Sequence, residues 1–276
     1  MTGNRIALVT GASSGIGEDA ALRLQAAGYT VYGAARRVDR MAGLKERGVR
    51  ILPLDLTDDE SVRAAVDAII GESGRIDVLV NNAGYGSYGA IEDVPMDEAR
   101  AQIEVNVFGL ARLTQLVLPH MRAQRTGTII NISSMGGRFV TPLGGWYHAS
   151  KFAVEALSDA LRLETRPFGI RVVVIEPGSI RTEWGAIAAD TLRRTSAGGA
   201  YARVADRVAT TLEETSGPGA RTSDPAVIAR TIVRAATARR PRTRYLVGFG
   251  AAPAVLLRRV LPDRAFDAVI RRVFRV

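Results

Sequence analysis

Seven short runs of apolar, largely β-branched residues punctuate the chain: RIALVT from Arg5, TVYGAAR from Thr30, VRILPLD from Val49, IDVLVNN from Ile76, GTIINISS from Gly127, RVVVIEP from Arg171 and RYLVGFG from Arg244. Most are nearly continuous in apolar character, as strands covered on both faces should be. Segments with apolar residues at helical spacing fill the intervals, and the alternation predicts an α/β domain whose parallel sheet is flanked by helices. The seventh run is expected to close the sheet at one edge. Between Ser179 and Asp224 the pattern weakens into Ala, Thr, Arg and Gly, including SAGGAYAR and ETSGPGARTSDP. Residues 179–224 therefore read as a mobile substrate lobe or lid of the same domain. The last stretch, 251–276, mixes apolar residues with arginines and reads as a basic helical tail that Pro262 breaks in two.

With 276 residues and 47% hydrophobic content, one large core suffices, and a single domain over 1–276 is the expectation. The chain has no cysteine, which removes thiolate metal sites and cysteine nucleophiles and suits a reducing compartment. Two histidines, His120 and His148, are too few for a histidine metal cluster. The opening MTGNRIALVTG lacks the pattern of a secretory signal, and the longest weakly charged run, YLVGFGAAPAVLL, falls short of the ~20 apolar residues of a membrane span. A cytoplasmic protein is expected. The formal charge of +9 is concentrated at the end: Arg221 to Val276 holds 13 basic and 3 acidic residues, leaving the body neutral. No basic patch interleaved with aromatics marks the body as a nucleic-acid surface, so no nucleic-acid partner is expected.

The stretch TGASSGIGEDAALRL follows the first strand directly and opens a helix. Gly11, Gly15 and Gly17 permit a tight turn and let backbone N–H groups approach a pyrophosphate, whose charge the helix N-terminus favours. The candidate cofactor residues of this turn are Gly11, Ser13, Ser14, Gly15, Ile16 and Gly17. A dinucleotide site commonly has an acidic residue about 20 positions further on, for the adenosine ribose hydroxyls. Here Ala35, Arg36 and Arg37 end the second strand instead. A carboxylate would repel a 2′-phosphate and two guanidiniums can bind it, so NADP(H) is expected over NAD(H); the competing reading is a pair of solvated arginines.

Tyr147 and Lys151, in WYHASK, lie four apart and share one helix face. Only Lys45 and Lys151 are lysine among 37 basic residues, which singles out position 151 as one where a compact ammonium is needed. A free phenol titrates near pH 10, and one ammonium at ~4 Å with an effective dielectric near 20 supplies about the 4 kcal/mol that would bring it to neutrality. An aromatic and a basic residue opening an ordinary amphipathic helix would give the same spacing.

Taken together, TGASSGIG, NNAG at 81–84, NISS at 131–134, YHASK and PGSIRT at 177–182 resemble the short-chain dehydrogenase/reductase family, in order, from residue 5 to about 182. The resemblance implies a Rossmann-type doubly wound sheet of about seven strands with helices on both faces, one NADP(H) and a single catalytic domain. It implies catalytic roles for Asn106, Ser134, Tyr147 and Lys151, the serine being the one 13 residues before the tyrosine. It places Asp55 and Leu56 near the adenine, Asn82, Ala83 and Gly84 along the adenosine side, and Pro177, Gly178, Ile180 and Thr182 at the nicotinamide amide. Asn106, Tyr147 and Lys151 would also meet the cofactor. In the mechanism so implied, Ser134 hydrogen-bonds the developing oxyanion, Tyr147 delivers the proton, Lys151 lowers the tyrosine's pKa, and Asn106 positions a water leading to solvent. A homo-oligomer, dimer or tetramer, built on the helices carrying Asn106 and Tyr147 is implied as well.

Tyr85, Met135, Phe139, Val140, Trp184 and Tyr201 are candidate walls of a mainly apolar substrate pocket, although core packing accounts for some of them equally well. They point to a lipophilic ketone or secondary alcohol, as in the steroid- and retinoid-like branches the chain is similar to. A β-ketoacyl thioester competes, and a non-catalytic NADP(H)-binding sensor or scaffold is the reading from a different class. In the tail, Val269, Ile270, Val273 and Phe274 fit helical spacing. Three readings stand: a helix capping the core, a subunit contact, or a basic amphipathic surface making weak peripheral contact with anionic lipid.

Overall fold

The computed structural model describes residues 5–182, 184–215 and 219–276. Position 183 and positions 216–218 of the expected lobe, and the four residues that open the chain, lie outside the described residues. Seven strands form one sheet: β1 (Arg5–Thr10), β2 (Tyr29–Ala35), β3 (Arg50–Pro53), β4 (Val78–Asn81), β5 (Gly127–Ile132), β6 (Ile170–Pro177) and β7 (Arg244–Val247). Every pairing is parallel, in the order β3-β2-β1-β4-β5-β6-β7, so β7 does close one edge. The order reverses between β1 and β4, which opens a crevice beyond their carboxyl ends.

Eleven helices surround the sheet among the described residues: α1 (Gly15–Ala26), α2 (Ala42–Glu46), α3 (Asp59–Ser73), α4 (Met96–Ile103), α5 (Leu110–Gln124), α6 (Gly145–Thr165), α7 (Trp184–Ser196), α8 (Ala202–Glu214), α9 (Ala226–Thr237), α10 (Ala251–Val260) and α11 (Asp263–Phe274). Strands β1 to β6 are largely apolar because each sends residues into two cores. In β1, Ala7 and Val9 join a core with Ala20 and Leu24 of α1 and Ile228 and Ile232 of α9. Ile6 and Leu8 point the other way, to Val62 and Ile69 of α3 and Leu113 and Val117 of α5. This is the period-two alternation of a strand with no polar face left to show it.

A third core lies in the lobe, where Ala188, Ala189 and Leu192 of α7 pack on Ala205, Val208, Ala209 and Leu212 of α8. Alanine lets two helices approach closely while adding little to a hydrophobic signal, which is why the pattern faded there. The tail breaks at Leu261 and Pro262 into α10 and α11. Of its spaced apolar residues, Phe274 is buried in the lobe core, Val269 and Ile270 are half-buried, and Val273 faces outward at 54% exposure. Phe266 is also buried, its ring 5.5 Å from that of Phe139.

Candidate active site

The glycine turn leaves β1 at the crevice. Gly11 and Gly15 have φ of +66° and +57°, the left-handed region that favours glycine. A Cβ on Gly17 would stand 2.2 Å from the Gly11 carbonyl oxygen, and one on Gly11 would stand 2.9 Å from Cα of Ala83. The turn is tied to the segment after β4 by Thr10, whose hydroxyl accepts from the N–H groups of Asn82 and Ala83, both at 3.0 Å. The Asn82 amide donates in return to the Thr10 carbonyl at 3.0 Å. Gly11 and the run Asn82, Ala83, Gly84 therefore form one fixed wall. Thr10 went unassigned in the sequence; its signal is a lone hydroxyl closing an apolar strand. Ser13 is half-buried, and Ser14 precedes α1 with extended backbone and no side-chain cap bond, so it leaves the first N–H groups of α1 free of a cap. Ile16 packs against the α1 core.

Arg36 and Arg37 stand exposed just past β2. Burial pushes the Asp55 carboxyl up, but bonds from the Thr57 N–H and hydroxyl, at 2.9 and 2.8 Å, and the Arg36 charge outweigh it and hold the group below the usual carboxylate range. Leu56 is buried, tight enough that a Cβ on Gly109 would lie 2.6 Å from its own. Across the crevice, the Gly178 N–H donates to Val247 at 2.8 Å, and Thr182 brings its methyl 3.7 Å from where a Gly15 Cβ would be. The segment Pro177, Gly178, Ile180, Thr182 thus reaches back toward the glycine turn. These are residues that could hold a dinucleotide: a turn with room for a backbone-close pyrophosphate, two guanidiniums at the ribose end and a closing segment opposite.

Ser134 follows β5, and its Oγ accepts from the Gly136 N–H at 3.0 Å, which leaves the hydroxyl proton free to donate. Tyr147 and Lys151 sit one turn apart on α6, with Nζ of Lys151 6.0 Å from the tyrosine ring centre. Asn106 lies in a widened π-helical turn, Glu104–Gly109, between α4 and α5; such turns commonly sit at functional sites. Its Oδ1 accepts from the Tyr85 N–H at 3.1 Å, while Nδ2 donates to the Tyr85 carbonyl at 2.9 Å and to Ser150 Oγ at 3.0 Å. Ser150 in turn donates to the Tyr147 carbonyl at 2.6 Å. A Cβ on Gly84 would lie 2.9 Å from Asn106 Oδ1 and 3.8 Å from Lys151 Nζ, which fixes how closely these three residues gather.

One electrostatic expectation is corrected. Burial pushes the Tyr147 phenol up to about 12, with the Ser134 hydroxyl pulling the other way. Burial pushes the Lys151 amine down to about 8, opposed by Glu155. The ammonium does not bring the phenol to neutrality here, because both groups are buried and Nζ donates to the Ile132 carbonyl at 3.0 Å instead of to the phenol oxygen. Tyr147 is held as a neutral acid.

His148 was given no role by the sequence beyond its count. Its Nε2 accepts from the Thr141 N–H at 3.0 Å, so Nδ1 carries the proton and donates to the Gly136 carbonyl at 2.8 Å. Burial pushes it down to about 4 and keeps it neutral, a clamp across the loop after Ser134. Beside Tyr147, the Trp184 ring lies 5.1 Å from Tyr147 and 5.8 Å from Tyr88, and Tyr88 is 5.9 Å from Tyr147. Gly86 makes this possible, since a Cβ there would sit 2.6 Å from Trp184. Tyr88 was missed, although Gly86 and Gly89 flank it as a sign of close packing. Tyr85 and Met135 are half-buried beside the site, whereas Phe139 is taken up by Phe266, Val140 is exposed, and Tyr201 donates to Glu92 at 2.9 Å. Among the described residues no group of three His, Asp or Glu side chains could hold a metal.

A family profile described as short chain dehydrogenase matches residues 5–192. The 3-ketodihydrosphingosine reductase of Bacteroides thetaiotaomicron is 48% identical over 178 residues, covering 64% of this chain and 65% of that protein. The NADPH-dependent 3-dehydrocapnine reductase of Ornithobacterium rhinotracheale is 36% identical, covering 96% of this chain and 95% of its own. The crystal structure of a short-chain dehydrogenase from Streptomyces avermitilis superposes with a TM-score of 0.81 at 36% identity, covering 100% of this chain and 98% of that one. Solved neighbours carry either cofactor. A metagenomic short-chain oxidoreductase holds NADP (TM-score 0.69, 28% identity, 89% of this chain and 97% of that one), and a xylitol dehydrogenase holds NAD+ (0.74, 29%, 86% and 93%).

Proposed function

The chain belongs to the short-chain dehydrogenase family and is an oxidoreductase acting on CH–OH or C=O groups, and from that premise we propose that it is an NADPH-dependent reductase of a lipophilic ketone. The observation that carries this reading is the convergence of Ser134, a neutral Tyr147, Lys151 and Asn106 beside an aromatic wall.

A bound nicotinamide supplies the hydride equivalent that reduces the carbonyl carbon. The chain's own residues handle the oxygen. Ser134, anchored through its Oγ by the Gly136 amide, donates to the carbonyl oxygen and stabilises the negative charge that develops there. Tyr147 gives its phenolic proton to that oxygen; a phenol held near 12 is still far more acidic than an alcohol, so the transfer runs downhill. Lys151, one turn away with its amine pushed down to about 8, can pass a proton back to the phenolate left behind. Asn106 keeps Tyr85 and Ser150 in place and has one Oδ1 lone pair left for a water. A neutral tyrosine is the form that reduction needs, whereas oxidation needs the phenolate, which burial disfavours.

Arg36 and Arg37 support NADPH, as does the relative whose name states that cofactor. Tyr88 and Trp184 against Tyr147 support an apolar substrate, and two relatives are by name a 3-ketodihydrosphingosine reductase and a 3-dehydrocapnine reductase. The same reading includes a homo-oligomer, since Phe108 and Phe152, on the segments bearing Asn106 and Tyr147, are 58% and 43% exposed. The test is NADPH oxidation, followed by absorbance, on a panel of hydrophobic ketones and a β-ketoacyl thioester. Turnover of a hydrophobic ketone that vanishes in Tyr147→Phe, with NADPH affinity intact, is expected. Undiminished activity of the variant would refute the assignment.

A further inference from the structure

The proposed reaction leaves the tail unused, and its two helices present different surfaces. Helix α11 turns Phe266, Ile270 and Phe274 inward and its arginines outward, so most of its apolar side, Val273 excepted, is covered. Helix α10 instead leaves part of its apolar surface facing outward. Arg258 is half-buried, paired with Asp263 at 2.8 Å and lying over the Phe266 ring, whereas Leu256 and Val260 stand 61% and 64% exposed. These two are one turn apart on the same face, continued by the exposed Ala252, and Phe249 in the turn leading into α10 is 49% exposed. A helix that directs a guanidinium inward and leucine and valine outward is oriented for an apolar partner.

The surrounding charge says which partner. Residues 251–276 contain six arginines against two aspartates, and Arg259, Arg264 and Arg272 are exposed. A second copy of the chain docking face to face would bring these cations against one another. An anionic lipid surface would pair them with phosphates while its acyl boundary receives Leu256 and Val260. We propose that the outward face of α10, with the arginines around it, docks on an anionic lipid surface. Helix α10 leaves the carboxyl edge of the sheet, where the Phe249 carbonyl would be 2.3 Å from a Cβ on Gly178, so docking presents the end of the molecule that carries the candidate site.

The test uses the full chain and flotation with vesicles of phosphatidylcholine alone or mixed with phosphatidylglycerol. The vesicles carry no substrate, so the outcome is separate from the catalytic reading. Partition onto the mixed vesicles and not the neutral ones is expected, and it should fall by about tenfold or more in Leu256→Asp/Val260→Asp and separately in Arg259→Glu/Arg264→Glu. Both pairs lie on the surface and should leave turnover of a water-soluble ketone unchanged. Absence of wild-type binding to the mixed vesicles would overturn the proposal, as would binding indifferent to both double variants. Dissociation of an oligomer by the α10 variant, without loss of vesicle binding, would assign the face to a second copy instead.

Discussion

Replacing Arg244 by Met should destabilise the fold by an amount that grows with pH. Arg244 on β7 donates through Nε to Glu155 at 3.0 Å and through Nη2 to Asp159 at 2.7 Å, and lies 3.5 Å from Glu176. The Glu155 and Glu176 side chains are only 8% and 2% exposed. Burial first, and then the Glu155 charge, push the Glu176 carboxyl up to about 7, while Arg138 and Arg244 pull it down. A folded-state pKa above the ordinary 4.5 means that, between about 4.5 and 7, the folded protein keeps a proton the unfolded chain has released. Wild-type stability contributed by this group therefore falls as pH rises through that window. Without Arg244 the carboxyl rises further and the fall continues to higher pH. Removing one partner of a buried ion pair costs ~3–5 kcal/mol; with Arg138 still 3.7 Å from Glu176 and Arg244 itself a quarter exposed, about 3 kcal/mol at pH 8 and about half that at pH 5.5 is expected. Urea unfolding at the two pH values measures both numbers. A loss below about 0.5 kcal/mol, or one equal at both pH values, would refute the reasoning.

Gly17→Ala should cost ~2 kcal/mol or more, because its methyl would meet the Gly11 backbone oxygen at 2.2 Å and neither can move independently; thermal unfolding and NADPH titration should report the loss together. Arg36→Glu with Arg37→Glu should shift the ratio of NADPH to NADH dissociation constants by roughly 100-fold toward NADH, the worth of two charge-assisted hydrogen bonds, and an unchanged ratio would return both residues to the solvated strand end.

The order of elements was legible because the chain gives each buried strand a continuous apolar run and punctuates it with glycine or a polar cluster. The lobe was harder: Ala188, Ala189, Ala205 and Ala209 build a helix pair from residues that carry little hydrophobic signal. Tyr147 and Lys151 could be singled out by their spacing and by the rarity of lysine, whereas Ser134 and Asn106 came only with the family resemblance; the fold places all four around one crevice. Their protonation could not, since it depends on burial and on Ile132, whose carbonyl holds the Lys151 amine. Supporting polar groups were equally hidden. Asn81 donates to Asn131 at 2.9 Å across two neighbouring strands, and Asn131 to Ser158 at 2.9 Å, a buried row whose members lie far apart in the chain.

The pH dependence of kcat/KM for ketone reduction tests most directly whether Tyr147 and Lys151 work as one acid. Free-enzyme groups govern this parameter, so a plateau at low pH that falls away near 8, where Lys151 loses its proton, is predicted, with the break abolished in Lys151→Met. A profile flat from pH 6 to about 10 in the wild type, or an unaltered break in the variant, would contradict it.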